Sequence, residues 1–164
     1  MSESEPQAGS SARSAPTRVA VISNRRDQID HVQNEVVDAA ERLGYSKTAR
    51  FAIRLALEEA VSNAFRHGHA GLPPETPVRV EYTLTPEVIR IAVEDQGPGY
   101  DPSHVPDPTL DANLEQLSGR GLTLIRAYMA SVRHNDRGNR LEMEYRNPTP
   151  PASQGSNVPA RSAS

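Results

Sequence analysis

The chain has 164 residues, a formal charge of -3, no cysteine and no tryptophan. That balance argues against a basic nucleic-acid binder and excludes a disulfide scaffold and any thiolate-ligated metal site. No apolar run approaches the ~20 residues of a membrane span, and Met1–Ser10 lacks the apolar core of a secretory leader, so a soluble cytoplasmic protein is expected.

Hydrophobic residues make up only 36% of the chain, and 14 residues are proline. An ordinary domain is about 45–50% apolar, and the two ends account for much of the difference. Residues 1–17 are Ser, Ala, Pro and Glu without periodicity, and residues 147–164 are Pro, Ser, Ala and Asn. Such segments bury too little apolar surface to offset chain entropy. Both are expected to be disordered tails around a folded body of residues 18–146.

The body reads in chain order. Arg18–Ser23 is a short strand. Ile29, Val32, Val36, Ala40 and Leu43 recur at helical spacing, and Gly44 ends that helix. Ser46 is a predicted N-cap for a second helix running to about His67, with Ile53, Leu57, Ala60 and Ala64 as its core stripe. The period then changes to two: Val78, Val80, Tyr82 and Leu84 alternate with polar residues, Pro86-Glu87 turns, and Ile89, Ile91 and Val93 alternate again. Pro98–Ser118 is a long loop carrying Pro98, Pro102, Pro106 and Pro108. A helix is predicted from about Gly121 to Ala130, and a last hairpin bends around Arg137-Gly138-Asn139. Helices and strands do not alternate strictly, which excludes a doubly wound parallel sheet. The order fits an α/β two-layer sandwich, a mostly antiparallel mixed sheet with helices on one face.

Three clusters carry polar groups suited to chemistry. Glu59, Asn63 and His67 lie four residues apart on the second helix, a spacing that drifts by only about 40° per step, so they share one stripe. A carboxylate there is able to act as a general base, and an Asn oxygen is a suitable hard ligand for Mg²⁺; an ordinary polar helix edge would look the same. Glu58 points about 100° away and reads as a surface residue. Asp95-Gln96-Gly97-Pro98-Gly99 follows a strand, where a carboxylate can accept from an exocyclic amine and the glycines let backbone approach a ligand; a tight turn is the plain alternative. Ser118-Gly119-Arg120-Gly121 opens a helix, where free N–H groups and the helix dipole suit phosphates. His67 and His69 have no third ligand type clustered with them, so zinc is not expected; His67 is expected to pack below a nucleotide or cap the helix end.

The order of the three clusters says more than any one of them. The chain resembles the ATPase superfamily of gyrase, the heat-shock chaperone, histidine kinases and the mismatch-repair ATPase, the Bergerat fold. Glu59–His67 resembles its N box, Asp95–Gly99 its first glycine box and Gly119–Gly121 its second, with Tyr100–Ser118 in the place of the ATP lid. More closely, LALEEAVSNAFRHG, VEDQGPGYDP, VPDP and SGRGLTLIRAYMASV resemble the anti-sigma-factor serine kinases of the RsbW/SpoIIAB type.

The resemblance implies ATP and Mg²⁺ as cofactors. Asn63 would hold Mg²⁺ at the phosphates, and Glu59 would be the catalytic base for a serine hydroxyl on a protein. Asp95 would bind the adenine amino group, and Gly97 and Gly99 would let the chain pass over the nucleotide. Gly119, Arg120 and Gly121 would line the phosphates. It also implies partners: a sigma factor held inactive, an antagonist phosphorylated on serine, and a second copy in a homodimer, with no direct contact to nucleic acid or membrane. Two positions depart from the pattern. Leu117 stands where some relatives carry a basic residue, and Gly138-Asn139 where they often carry Gly-Thr. The alternative function is a nucleotide-gated protein-binding module without kinase activity. A detached histidine-kinase catalytic domain is disfavoured, because the body has no room for a phosphoacceptor hairpin.

Overall fold

A computed structural model describes residues 15–99 and 117–152, with side chains from 121 onward in the second stretch. The expected lid, Arg120's side chain and most of both tails lie outside the described residues. Five strands form one sheet: β1 (Arg18–Ile22), β2 (Val78–Leu84), β3 (Val88–Glu94), β4 (Ser131–His134) and β5 (Arg140–Arg146). Their spatial order is β1-β2-β3-β5-β4. Every pairing is antiparallel, so the expected mixed sheet is antiparallel throughout among the described residues. β2–β3 and β4–β5 are joined by short turns, which bring strands back antiparallel, whereas a parallel pair needs a long crossover.

Among the described residues three α-helices cover one face: α1 (Arg26–Arg42), α2 (Lys47–Asn63) and α3 (Leu117–Tyr128). α2 lies between the other two. Its buried Ala49, Ala52, Ala56 and Ala60 let neighbours come close, and Ile53 and Leu57 fill the space above Val78, Val80, Ile89 and Ile91. All four residues of the predicted core stripe, Ile53, Leu57, Ala60 and Ala64, are buried. The period-two strands behave as read, with Val78, Val80, Tyr82, Ile89, Ile91 and Val93 inside.

The opposite face is charged. Arg140 pairs with Glu81 at 2.8 Å and Glu142 at 3.0 Å, and Arg90 pairs with Glu144 at 2.9 Å. The guanidinium of Arg140, then that of Arg79, holds the Glu81 carboxyl below its usual range. A concavity on this face is lined by Glu81, Arg90, Ala92, Arg140, Glu142 and Glu144 among others.

Ends and turns follow local chemistry. Ser46 Oγ accepts the Ala49 N–H at 3.1 Å, as its position ahead of α2 predicts. Ser46→Ala is expected to cost about 1 kcal/mol, read as a lower urea midpoint with an unchanged m-value. Gly44, at φ +86°, turns the chain between α1 and α2. Glu58, read as a surface residue, is half-buried and tied to α1 by Arg26 at 3.1 Å and Gln33 at 3.3 Å. Asn147, read as the first residue of the tail, is buried; its N–H donates to Glu87 O and its amide to Pro86 O, closing the β2–β3 turn. Among the described residues no helix is long and apolar enough to cross a membrane.

Candidate functional site

Two helix boundaries differ from expectation, and both shape the site. α geometry in α2 ends at Asn63, and Ala64–Gly68 forms a wider π-helical turn closed by His69 N–H to Ala64 O at 2.9 Å. Such turns often interrupt helices at functional sites. The wider turn shifts every side chain after Asn63. His67, expected on the Glu59–Asn63 stripe, is exposed instead, and His69 is buried. The second difference is α3, which begins at Leu117 and not at Gly121. Gly119 and Gly121 therefore sit inside its first turns. Glycine costs only about 1 kcal/mol relative to alanine there, and close packing on α2 offsets that cost.

The packing is specific. A Cβ added at Gly121 would stand 2.6 Å from Glu59 Oε2 and 3.2 Å from Asn63 Nδ2. The start of α3 thus lies directly against the two polar groups of α2, and a side chain at Gly121 would push the Glu59 carboxylate aside. Glu59 and Asn63 are both half-buried. Glu58 next door is hydrogen-bonded and ion-paired; among the described residues the Glu59 carboxylate has no such partner. A carboxylate left unpaired beside a glycine-lined helix start is free to take a proton from an incoming hydroxyl.

Asp95 is built in from the other side. It follows β3, and its N–H donates to Asn139 O at 2.9 Å. Its carbonyl accepts from Asn139 Nδ2 at 3.1 Å, and its Oδ1 accepts the Gly97 N–H at 2.8 Å. Asn139 is held in turn by Asn135, whose amide donates to Asn139 Oδ1 at 2.8 Å and whose Oδ1 accepts the Asn139 N–H at 3.1 Å. Burial pushes the Asp95 carboxyl above its ordinary range, with the Gly97 N–H, His69 and Arg137 opposing that rise. The carboxylate lies against Gly68, where a Cβ would collide with it. Gly97 passes over the Gly68 carbonyl so closely that no side chain fits. Gly99 has φ +76°, a region that favours glycine, and packs on the Arg137 carbonyl.

Gly68 and Asn63 bracket one turn, so the Asp95 cluster and the Glu59–Asn63–Gly121 cluster sit side by side at the C-terminal end of α2. This arrangement offers an acceptor for an amine, an amide oxygen for a hard cation and an unpaired carboxylate. Of the expected site residues, Glu59, Asn63, Asp95, Gly97, Gly99 and Gly121 are brought into these two clusters. Gly119 lies two residues before Gly121 on α3, about half a turn away.

Three contributors were not read from the sequence. Asn135 was not singled out, Asn139 was read as a turn residue standing where relatives often carry Thr, and His69 was weighed only as a metal ligand. His69 Nε2 accepts the Gln96 N–H at 2.9 Å, and its ring stands edge-on to Phe65 at 5.6 Å between centroids.

Residues 22–145 match the family described as the histidine kinase-like ATPase domain. The chain is 30% identical over 97 residues to the serine/threonine-protein kinase BtrW of Bordetella bronchiseptica, covering 57% of this chain and 66% of that protein. It is 28% identical over 103 residues to the serine-protein kinase RsbW of Listeria monocytogenes, covering 57% of this chain and 63% of that protein. A Listeria innocua protein of the same name matches equally well. In each case the match spans less than two thirds of the relative's length.

Proposed function

From the premise that this chain belongs to the histidine kinase-like ATPase domain family, we propose that it is an ATP-dependent protein-serine kinase of a partner-switching module. In this reading it works in the cytoplasm as a homodimer. It holds a sigma factor inactive and phosphorylates an antagonist protein on serine. The observation that carries the proposal is the packing of Gly121 against Glu59 and Asn63. It brings a carboxylate, a side-chain amide and the start of a helix together, the groups that the family resemblance calls on for a base, a cation ligand and a phosphate site. The kinase names of BtrW and RsbW support the same reading.

The residues present fit the nucleotide and the metal. Gly68 makes room for the Asp95 carboxylate and Gly121 for Glu59 and Asn63, whose oxygens suit an exocyclic amine and a hard cation. ATP supplies the phosphoryl group as substrate, and Mg²⁺, held by the Asn63 oxygen, supplies charge neutralisation. The chain's own part is positioning and proton transfer. Asp95 accepts from the adenine amino group, while Asn139 and Gly97 keep its carboxylate aimed. The first turn of α3 would offer the Gly119 N–H to a phosphate oxygen, Arg120 would add charge, and Gly121, its own N–H bonded within the helix, would let the nucleotide come close. Glu59 orients the antagonist's serine hydroxyl and takes its proton.

The test is incubation with γ-labelled ATP and candidate antagonists from the same genome neighbourhood. Label transferred to serine is the expected result. ATP retained without transfer to any antagonist would overturn the kinase assignment in favour of a nucleotide-gated binding module.

A further inference from the structure

His69 is 8% exposed, whereas Arg66, His67 and Ala70 around it are exposed. Its Nε2 accepts the N–H of Gln96, the residue between Asp95 and Gly97. A backbone N–H can only donate, so Nε2 must carry a lone pair and the imidazole must be neutral. The ring is wedged against Phe65 and cannot swing away without giving up that contact. The Asp95–Gly97 segment is thus held on one side by Asn139 and on the other by a histidine.

We propose that neutral His69 is a positioning residue for nucleotide binding, and that its protonation loosens the Asp95–Gly97 segment and weakens the bound nucleotide. The proposal deepens the reading of Asp95 as the adenine-binding residue and rests on it. Histidine is the side chain suited to this role, because its charge changes between about pH 5 and 8. Protonation has two effects of the same sign. An Nε2–H would face the Gln96 N–H, donor against donor, and the hydrogen bond would be lost. The new positive charge would also compete with the adenine amine for the Asp95 carboxylate. The charged groups facing this corner are Asp95 itself, Glu94 on the same strand and Arg137 from the β4–β5 turn.

The experiment measures ADP affinity by calorimetry at pH 8 and pH 6 for wild type, His69→Gln and His69→Phe. Gln keeps an uncharged acceptor, and Phe keeps the ring but offers no acceptor. Wild-type affinity is expected to fall by about fivefold to tenfold more than that of His69→Gln over this range. His69→Phe is expected to bind weakly at both values. The titration of the nucleotide is common to all three and cancels, and that of Asp95, which His69 influences, is followed in each variant by carboxyl NMR over the same range. Equal pH slopes in wild type and His69→Gln would overturn the proposal. So would wild-type affinity in His69→Phe.

A second readout needs no nucleotide: deuterium uptake by amides 94–97 in the free chain. After correction for intrinsic rates, uptake is expected to rise in acid for wild type and not for His69→Gln. If wild type binds no ADP at either pH but keeps this His69-dependent exchange, the nucleotide assignment fails and the loop-holding role stands. If exchange does not depend on His69, the loop-holding role fails whatever the nucleotide does.

Discussion

Glu59→Ala is expected to slow phosphoryl transfer to the antagonist by about 100- to 10,000-fold, the range of a lost general base, while ATP affinity stays near wild type. The reason is the contrast between two adjacent carboxylates. Glu58 ties α2 to α1 through Arg26 and Gln33, so its loss removes structural contacts. Glu59 has no hydrogen-bond or ion-pair partner among the described residues and stands against Gly121. Removing it leaves the helix contacts intact and opens space at the site. Glu59→Gln should be as slow as Glu59→Ala, because the amide keeps the size but cannot take a proton at neutral pH. Glu58→Ala serves as the control, with transfer at the wild-type rate and a slightly lower melting temperature. The measurement is single-turnover transfer of labelled phosphate alongside equilibrium ATP binding. Transfer at the wild-type rate in Glu59→Ala would remove Glu59 from the role of base, and loss of ATP binding would make it a binding residue instead.

Asp95→Asn is expected to weaken ATP by about 5- to 150-fold, the effect of 1–3 kcal/mol for leaving buried groups badly matched, and to leave the folded state no less stable. The Asn oxygen can still accept the Gly97 N–H. Its NH₂ would then face the adenine amine, donor to donor, with no charge to assist. Stability should move the other way. Burial raises the Asp95 carboxyl above its unfolded value. A group raised in this way contributes stability below its unfolded pKa, and that contribution is lost as pH rises through the folded pKa. At pH 7 the wild type therefore carries an ionised carboxylate that the fold disfavours, and Asn removes it. The expected signature is a melting temperature equal to or above wild type at pH 7, with a gap that narrows in acid. A variant that melts well below wild type at pH 7 would show that Asp95 is a structural tie and not a ligand group held at a cost. The same raised pKa predicts that ATP binding fails in acid at a higher pH than an ordinary aspartate would allow.

The elements were legible because their signals are local. Alternation in Val78–Leu84 and Ile89–Val93 names a strand and its buried face, since successive side chains point to opposite sides. Ser46 announces α2 because its hydroxyl can satisfy a free N–H three residues on. The turn at Gly138 was legible for the same kind of reason. The antiparallel sheet covered by helices on one face followed from the order of these elements. The chemical types were legible too: a carboxylate and an amide four residues apart on a helix, and an aspartate among glycines after a strand.

Other features had no local signature. The change from α to π geometry after Asn63 alters hydrogen-bond spacing without altering composition, so His67 leaves its expected stripe for the surface and His69 is the buried histidine. The start of α3 at Leu117 was hidden because Gly119 and Gly121 read as loop residues until α2 is there for them to pack against. Asn139 looked like a turn residue and holds both sides of the Asp95 peptide.

By itself, then, the sequence determined the strands, the helices and the kinds of polar group available, because backbone periodicity and capping act within a few residues. The tertiary structure alone decided that Gly121 meets Glu59, that Gly68 meets Asp95 and that His69 meets Gln96. Those partners are far apart in the chain. They are chosen by how closely helices and strands can approach once the whole core is packed, and glycine is the residue that permits the closest approach.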